Sequence, residues 1–263
     1  MYTININPIL FELGFLKIRY YGLIYALGFI LFYLTMYYVA KKQLIPNFDK
    51  DNVDTYVLYI MISIVLGARV FEMLFYQFNT LITNPIEILM IWHGGLSFHG
   101  GLAGLLLATW LFCKKNKINI WKLLDISSVI GIFTLILGRI ANLINQELVG
   151  TPSTAKWCMI FPRVDNICRH PYQIYASLSH LLLFLFLIFI IYINRHKIKT
   201  FIGTKKLSIM FLIGYGVLRI ITDIWKLENL YFGLKTGQWL SIVMIAVGVW
   251  LLIFRKRKTN KKL

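Results

Sequence analysis

The chain has 263 residues, 58% of them hydrophobic and only 15% charged, with a mean hydropathy of +0.68 and a formal net charge of +17. That balance is too apolar and too poor in charge for an ordinary soluble domain and marks an all-α polytopic membrane protein. Seven apolar stretches are long enough, at about 1.5 Å per residue, to cross roughly 30 Å of hydrocarbon. They cover residues 20–40, 56–76, 96–113, 123–141, 172–193, 207–225 and 238–254.

The positions of the basic residues explain the net charge. Eighteen of the 28 lysines and arginines lie in the segments after spans 1, 3 and 5 and in the tail, from Lys41 and Lys42 to the Arg255–Lys258 run. Seven others, including Lys17, Arg19, Lys156, Arg163 and Arg169, fall on the opposite side of a seven-span layout. The positive-inside rule then puts the N-terminus outside and the C-terminus in the cytoplasm. Membrane topology accounts for the charge, so nucleic acid is not expected as a partner. Three arginines remain, Arg69, Arg139 and Arg219, each within or at the edge of an apolar span. An arginine at the centre of a membrane helix costs from roughly 2.5 to well over 10 kcal/mol, so such residues usually line a polar site.

The first nineteen residues lack a basic n-region and a small-residue cleavage site, so span 1 is expected to be retained. Its opening, RYYGLIYALG, puts Tyr21, Tyr25 and Gly28 on one face. Interfacial tyrosines are ordinary in membrane helices, and a functional role here needs outside support. On span 2, Arg69, Glu72 and Tyr76 follow helical spacing, a pattern that suits a structural ion pair as well as a site. The segment WHGGLSFHGG holds two His-Gly-Gly triplets, whose glycines permit a bend or a close backbone approach. His99 is a candidate catalyst at the outer end of span 3. His93 and His99 are poorly spaced for zinc and lack a third ligand, so neither a metal nor a cofactor is expected.

Span 4 runs into GRIANLINQELVG, residues 138–150, where Arg139, Asn142 and Gln146 share one helical face. Residues 143–171 are expected to form a small outer cap. Cys158 and Cys168 both fall there, and free thiols are the expected state; Cys113 reads as a packing residue. Span 5 opens with RHPYQIY and carries His180 mid-span, where a satisfied polar contact is expected. On span 6, GYGVLRIITDIWK puts Tyr215, Arg219, Asp223 and Lys226 on one stripe. Taken alone, Arg219 and Asp223 suit a structural ion pair equally well. A second arginine-bearing face favours a shared site, because charges in a low-dielectric region need an anionic partner, and in a bilayer that anion is a lipid phosphate.

Together WHGGLSFHGG, GRIANLINQELVG, RHPYQIY, GYGVLRIITD and TGQWLS, in this order, resemble the prolipoprotein diacylglyceryl transferases of the bacterial inner membrane. The resemblance covers nearly the whole chain. It implies a multi-pass enzyme of that membrane, with a periplasmic N-terminus and cap. Its partners would be phosphatidylglycerol and the lipobox cysteine of prolipoprotein signal peptides. A diacylglyceryl group would pass from the lipid to that cysteine's thiol, forming a thioether and releasing glycerol phosphate.

By matching motif, the implied site residues are Tyr21, His99, Arg139, Asn142, Glu147, Gly150, Tyr215 and Arg219. Arg139 and Arg219 are assigned to the phosphate, and Asn142 and Glu147 to hydrogen bonds around it. His99 is assigned to thiol activation or to orienting the lipid. Asp223 joins the lipid-binding set in place of the family's glutamate. Lys226 stands where arginine is common, and Ala141 and Gln146 where glycines are common. HPYQIYA lacks the serine and closing glutamate of the usual HPSQLYE, with Ala176 at the glutamate's place. The alternative is a lipid-binding or lipid-transport protein whose arginine faces hold phospholipid without chemistry. Intramembrane proteolysis lacks its Ser/His or paired-aspartate arrangement.

Overall fold

The computed structural model describes residues 2–13, 16–91, 95 and 97–259. His93 and Gly94, of the first His-Gly-Gly triplet, lie outside the described residues. The chain opens with β1 (Tyr2–Thr3), β2 (Ile9–Leu13) and β3 (Leu16–Arg19), followed by α1 (Tyr20–Lys41), α2 (Lys50–Phe75), the short α3 (Phe78–Thr83), α4 (Phe98–Lys115) and α5 (Ile120–Asn145). Then come β4 (Met159–Phe161), β5 (Asp165–Arg169), α6 (Tyr172–Ile193), the single turn α7 (Ile198–Phe201), α8 (Lys206–Thr222), β6 (Leu230–Tyr231), β7 (Leu234–Lys235) and α9 (Thr236–Thr259).

The protein is mostly helical and multi-pass. Among the described residues, six helical segments are long and apolar enough to cross a membrane: α1, α2, α5, α6, α9, and α8 extended to Trp225 by one 3-10 turn. The fourth helix covers the expected third span but is not among the six. It is 18 residues long, carries His99 and three glycines near its start, and closes on Lys114 and Lys115. Polar burial with apolar exposure marks α6, which buries Gln173 and His180 while Leu178, Leu182 and Phe189 are more than half exposed. That inversion is expected when hydrocarbon replaces water outside.

The chain forms two compact units, one of Met1–Ile30 with Asp125–Leu263 and the other of Leu31–Leu124. In the second unit, Phe48, Tyr56 and Phe112 form an aromatic cluster, and the Tyr56 hydroxyl lies 3.0 Å from Thr109 Oγ1. Close backbone approach joins α2 to α4: a Cβ on Gly100 would lie 2.1 Å from the Gly67 carbonyl oxygen, and one on Gly104 would lie 2.0 Å from that of Ser63. This small-residue packing is a known route to helix association in membranes, and it gives part of the second His-Gly-Gly triplet a structural purpose. Arg69 donates to the backbone carbonyls of Glu87, Ile88, Met90 and Gly95 and pairs with the Glu87 carboxylate. It thus clamps the segment that leads into α4.

The first unit packs α6 and α8 around Ile132, Leu183, Leu187, Leu207 and Tyr215. Buried Asp125 accepts from the backbone N–H groups of Gly203, Lys205 and Ser208 and from the Ser208 hydroxyl, satisfying donors at the start of α8. Outside the helices, β4 pairs with β1 in parallel and with β5 in antiparallel. Isolated bridges, Pro152 with Arg169 and Gly150 with Lys226, extend this small sheet. Within it Cys158 and Cys168 form a disulfide, contrary to the expected free thiols. The β4–β5 register, with Ile160 opposite Cys168, brings their Cα atoms to 5.5 Å, within the range a disulfide spans. Arg169 beside Asp165 holds that carboxyl below the usual carboxylate range.

The glycine contacts make a paired prediction. A Cβ at Gly101 meets only ordinary contacts, the nearest at 3.5 Å. Gly101→Ala should leave the denaturation temperature of the detergent-solubilised protein nearly unchanged, whereas Gly104→Ala should lower it by several degrees or prevent accumulation.

Candidate active site

The GRIANLINQELVG segment builds one half of a polar cluster. The α5 helix ends at Asn145, and Gln146 and Leu148 take positive φ values of 59° and 52°, turning the chain back across the helix end. The turn presents the Glu147 carboxylate to two amides: Asn142 Nδ2 donates to Oε2 and Asn145 Nδ2 to Oε1, each at 3.2 Å. Arg139, also buried, donates from Nη1 to Asn142 Oδ1 at 3.4 Å. Asn142 therefore relays between guanidinium and carboxylate. Tyr21, from the start of α1, lies beside Asn142 and Glu147, with its hydroxyl 3.3 Å from that of Tyr25.

Gln146 serves elsewhere. Its amide donates to the Ile4 carbonyl and accepts from the Arg163 backbone N–H, which ties the small sheet to the end of α5. Its place past the helix end removes it from the face shared by Arg139 and Asn142. Gly150 is a point of close packing, since an added Cβ would lie 2.3 Å from the His170 carbonyl oxygen and 2.9 Å from that of Trp225. Lys226 lies beyond the helix and pairs with Glu228 at 2.5 Å, so the expected stripe holds only as far as Asp223.

The other half comes from α8. Arg219 Nη1 donates to the Tyr215 hydroxyl at 3.0 Å, and its Nε lies 3.4 Å from Asp223 Oδ2. Asp223 is fully buried. The turn that carries it is held by Lys235, whose ammonium donates to the carbonyls of Asp223, Ile224 and Lys226. Burial pulls the Lys235 pKa down. The TGQWLS motif now has a local reason. Gln238 Oε1 accepts from the Lys235 N–H, in the manner of a capping box. A Cβ on Gly237 would lie 2.2 Å from Asp223 Oδ2 and 3.0 Å from Arg219 Nη2, so only glycine fits beside this ion pair.

Tyr172, noted in the sequence only as a departure from serine, joins the halves. Its ring lies 5.8 Å from the Arg139 guanidinium, and its hydroxyl donates to Asp223 Oδ1 at 2.5 Å. The tyrosine reach and the short aspartate stem are complementary. The structure thus brings Tyr21, Arg139, Asn142, Glu147, Gly150, Tyr215, Arg219 and Asp223 into the first unit. His99 belongs to the second unit, half-buried in the first turn of α4. Among the described residues, no group of three or more His, Cys, Asp or Glu side chains is placed to hold a metal ion.

A family model for prolipoprotein diacylglyceryl transferase matches residues 8–254. The chain belongs to this family. The chain is 39% identical over 254 residues to the phosphatidylglycerol–prolipoprotein diacylglyceryl transferase of Aromatoleum aromaticum, covering 94% of each chain. It is 37% identical to the enzyme of that name from Legionella pneumophila strain Lens, over 94% of this chain and 96% of the relative. The Methylobacillus flagellatus enzyme of the same name is 36% identical over 260 residues, covering 96% of this chain and 97% of its own.

The linkage through Tyr172 is testable within this member of the prolipoprotein diacylglyceryl transferase family. Tyr172→Phe leaves a buried carboxylate oxygen without its donor, a loss of about 1.5–3 kcal/mol. The variant should denature at a lower temperature than the wild type, and the Tyr172→Ser, Asp223→Glu double variant should recover stability relative to Tyr172→Ser alone.

Proposed function

We propose that this protein transfers the diacylglyceryl group of phosphatidylglycerol to the thiol of a prolipoprotein lipobox cysteine, in the bacterial inner membrane. The observation that carries the reading is the state of Arg139. It is buried, it has five N–H donors, and among the described residues it makes one side-chain hydrogen bond and no direct ion pair with a carboxylate. A lipid phosphodiester supplies both the charge and the paired acceptors that such a guanidinium lacks.

In the reaction the thiol sulfur attacks the diacylglyceryl carbon that bears the phosphate. The C–S bond forms as the C–O bond breaks, glycerol phosphate leaves with the electron pair, and the thiol proton passes to a base. Arg139 and Arg219 hold the phosphate and stabilise the charge that grows on it, and stabilisation of developing charge contributes most of the rate in chemistry of this kind. Tyr215 and Asp223 fix the Arg219 guanidinium, while Asn142, Glu147 and Tyr21 fix Arg139 and the polar head. Gly150 supports the site through backbone packing. The family motif assigns His99 to thiol activation, since a thiol with a pKa near 8.5 is mostly protonated at neutral pH.

Purified protein incubated with phosphatidylglycerol and a lipobox peptide should add one diacylglyceryl mass to the peptide. Lipid binding without the mass gain would leave the non-catalytic lipid-binding alternative. Arg139→Ala should reduce transfer by at least about a hundredfold while the protein still inserts, because electrostatic groups of this kind contribute that much to rate. Near wild-type transfer would remove Arg139 from the chemistry. His99→Gln with activity retained would keep the phosphate roles and discard the base.

The proposed topology has seven spans in one membrane domain, with α4 as the third, the N-terminus and the 143–171 cap periplasmic, and the C-terminus cytoplasmic. The lysine and arginine asymmetry supports it, as does the Cys158–Cys168 disulfide, a bond favoured in an oxidising compartment. Reporter fusions after residue 115 and after residue 197 should both report the cytoplasm, and one within the cap the periplasm. The opposite pattern would reject the orientation.

A further inference from the structure

His180 lies mid-helix in α6, two turns beyond Gln173 on the same buried face, and is 3% exposed. Its ring stacks on Tyr215 with centroids 5.4 Å apart and an interplanar angle of 22°. That tyrosine hydroxyl in turn accepts from Arg219. His180 also lies within electrostatic reach of both Arg139 and Arg219. The ring nitrogen Nδ1 is buried and has no hydrogen-bond partner, and the ring lies near the Leu135 backbone. In the neutral ring with its proton on Nε2, Nδ1 is an acceptor. The expected satisfied contact is therefore not made at Nδ1, and leaving a buried polar atom unpaired is costly. Gln173 Oε1, on the same face, is a second buried acceptor without a partner.

A phosphodiester cannot satisfy these atoms, because its oxygens only accept. The donor must come from another part of the ligand. An ammonium headgroup would bring a further cation beside Arg139 and Arg219, which Coulomb repulsion disfavours. A hydroxyl donates without adding charge. We infer that His180 Nδ1 accepts a hydrogen bond from a headgroup hydroxyl of the bound lipid, making His180 a specificity residue for a polyol phosphodiester. This rests on the proposed phosphate binding by Arg139 and Arg219.

The test compares two lipids with the same phosphodiester, phosphatidylglycerol and phosphatidylmethanol, the second lacking headgroup hydroxyls. Binding to the full-length protein in detergent is measured for both, alongside transfer to a lipobox peptide. His180→Phe keeps an aromatic ring against Tyr215 and removes the acceptor, whereas the carbonyl of His180→Asn reaches the position of Nδ1. The phenylalanine variant should bind phosphatidylglycerol about tenfold more weakly, the effect of one lost hydrogen bond, with phosphatidylmethanol binding little changed. Transfer should show the loss in KM more than in kcat. The asparagine variant should keep the wild-type preference.

Equal weakening for both lipids, an unchanged phenylalanine variant, or an asparagine variant as impaired as phenylalanine would overturn the inference. If the phenylalanine variant does not accumulate, the same comparison runs between His180→Asn and His180→Gln, whose carbonyl reaches the other nitrogen's position. Wild-type protein that binds phosphatidylglycerol preferentially but yields no thioether would defeat the transfer reading and leave the binding comparison in force.

Discussion

The placing of two guanidinium groups among apolar helices, Arg139 buried and Arg219 partly buried, is the constraint on which the first unit depends. Each has a different solution. Arg219 is held by Tyr215 and Asp223 on its own helix and the following turn, while Arg139 reaches a carboxylate only through Asn142. The arrangement spends protein charge on one arginine and leaves the other available. Breaking such a pair from one side is costly, since an uncompensated buried charge remains. The surrounding contacts follow from this: Lys235 clamps the turn that carries Asp223, and Gly237 yields the space the pair occupies.

Structural requirements explain much of the family pattern. Gly100 of the second His-Gly-Gly triplet, the closing glycine of GRIANLINQELVG and the glycine of TGQWLS each stand where a Cβ would collide with backbone or with the ion pair. Glycine in these motifs thus reports a close approach. Polar residues of the same motifs divide between purposes. Gln146 fastens the small sheet, while Asn142, three residues from Arg139, belongs to its charge relay.

Membrane helices were legible in the sequence because hydrocarbon thickness imposes length and apolarity together. Residues 20–40 and 172–193 match α1 and α6 to within a residue, while residues 56–76 understate α2, whose first polar turn begins at Lys50. The arginine faces were legible too, since Arg219 and Asp223 pair at helical spacing. The small strands were not: β1 has two residues and is defined by β4, a partner distant in the chain. Tyr172 was passed over because its value lies in reaching Asp223, 51 residues away. The Cys158–Cys168 bond likewise depended on strand register that the cysteine spacing does not encode.

In the proposed reaction, where the acceptor is a thiol, that bond has a chemical consequence. A sulfur in a disulfide carries no proton and offers no thiolate, so neither cap cysteine competes with the incoming peptide for the lipid fragment. The remaining cysteine, Cys113, is buried near the end of α4. The protein is protected against modifying itself.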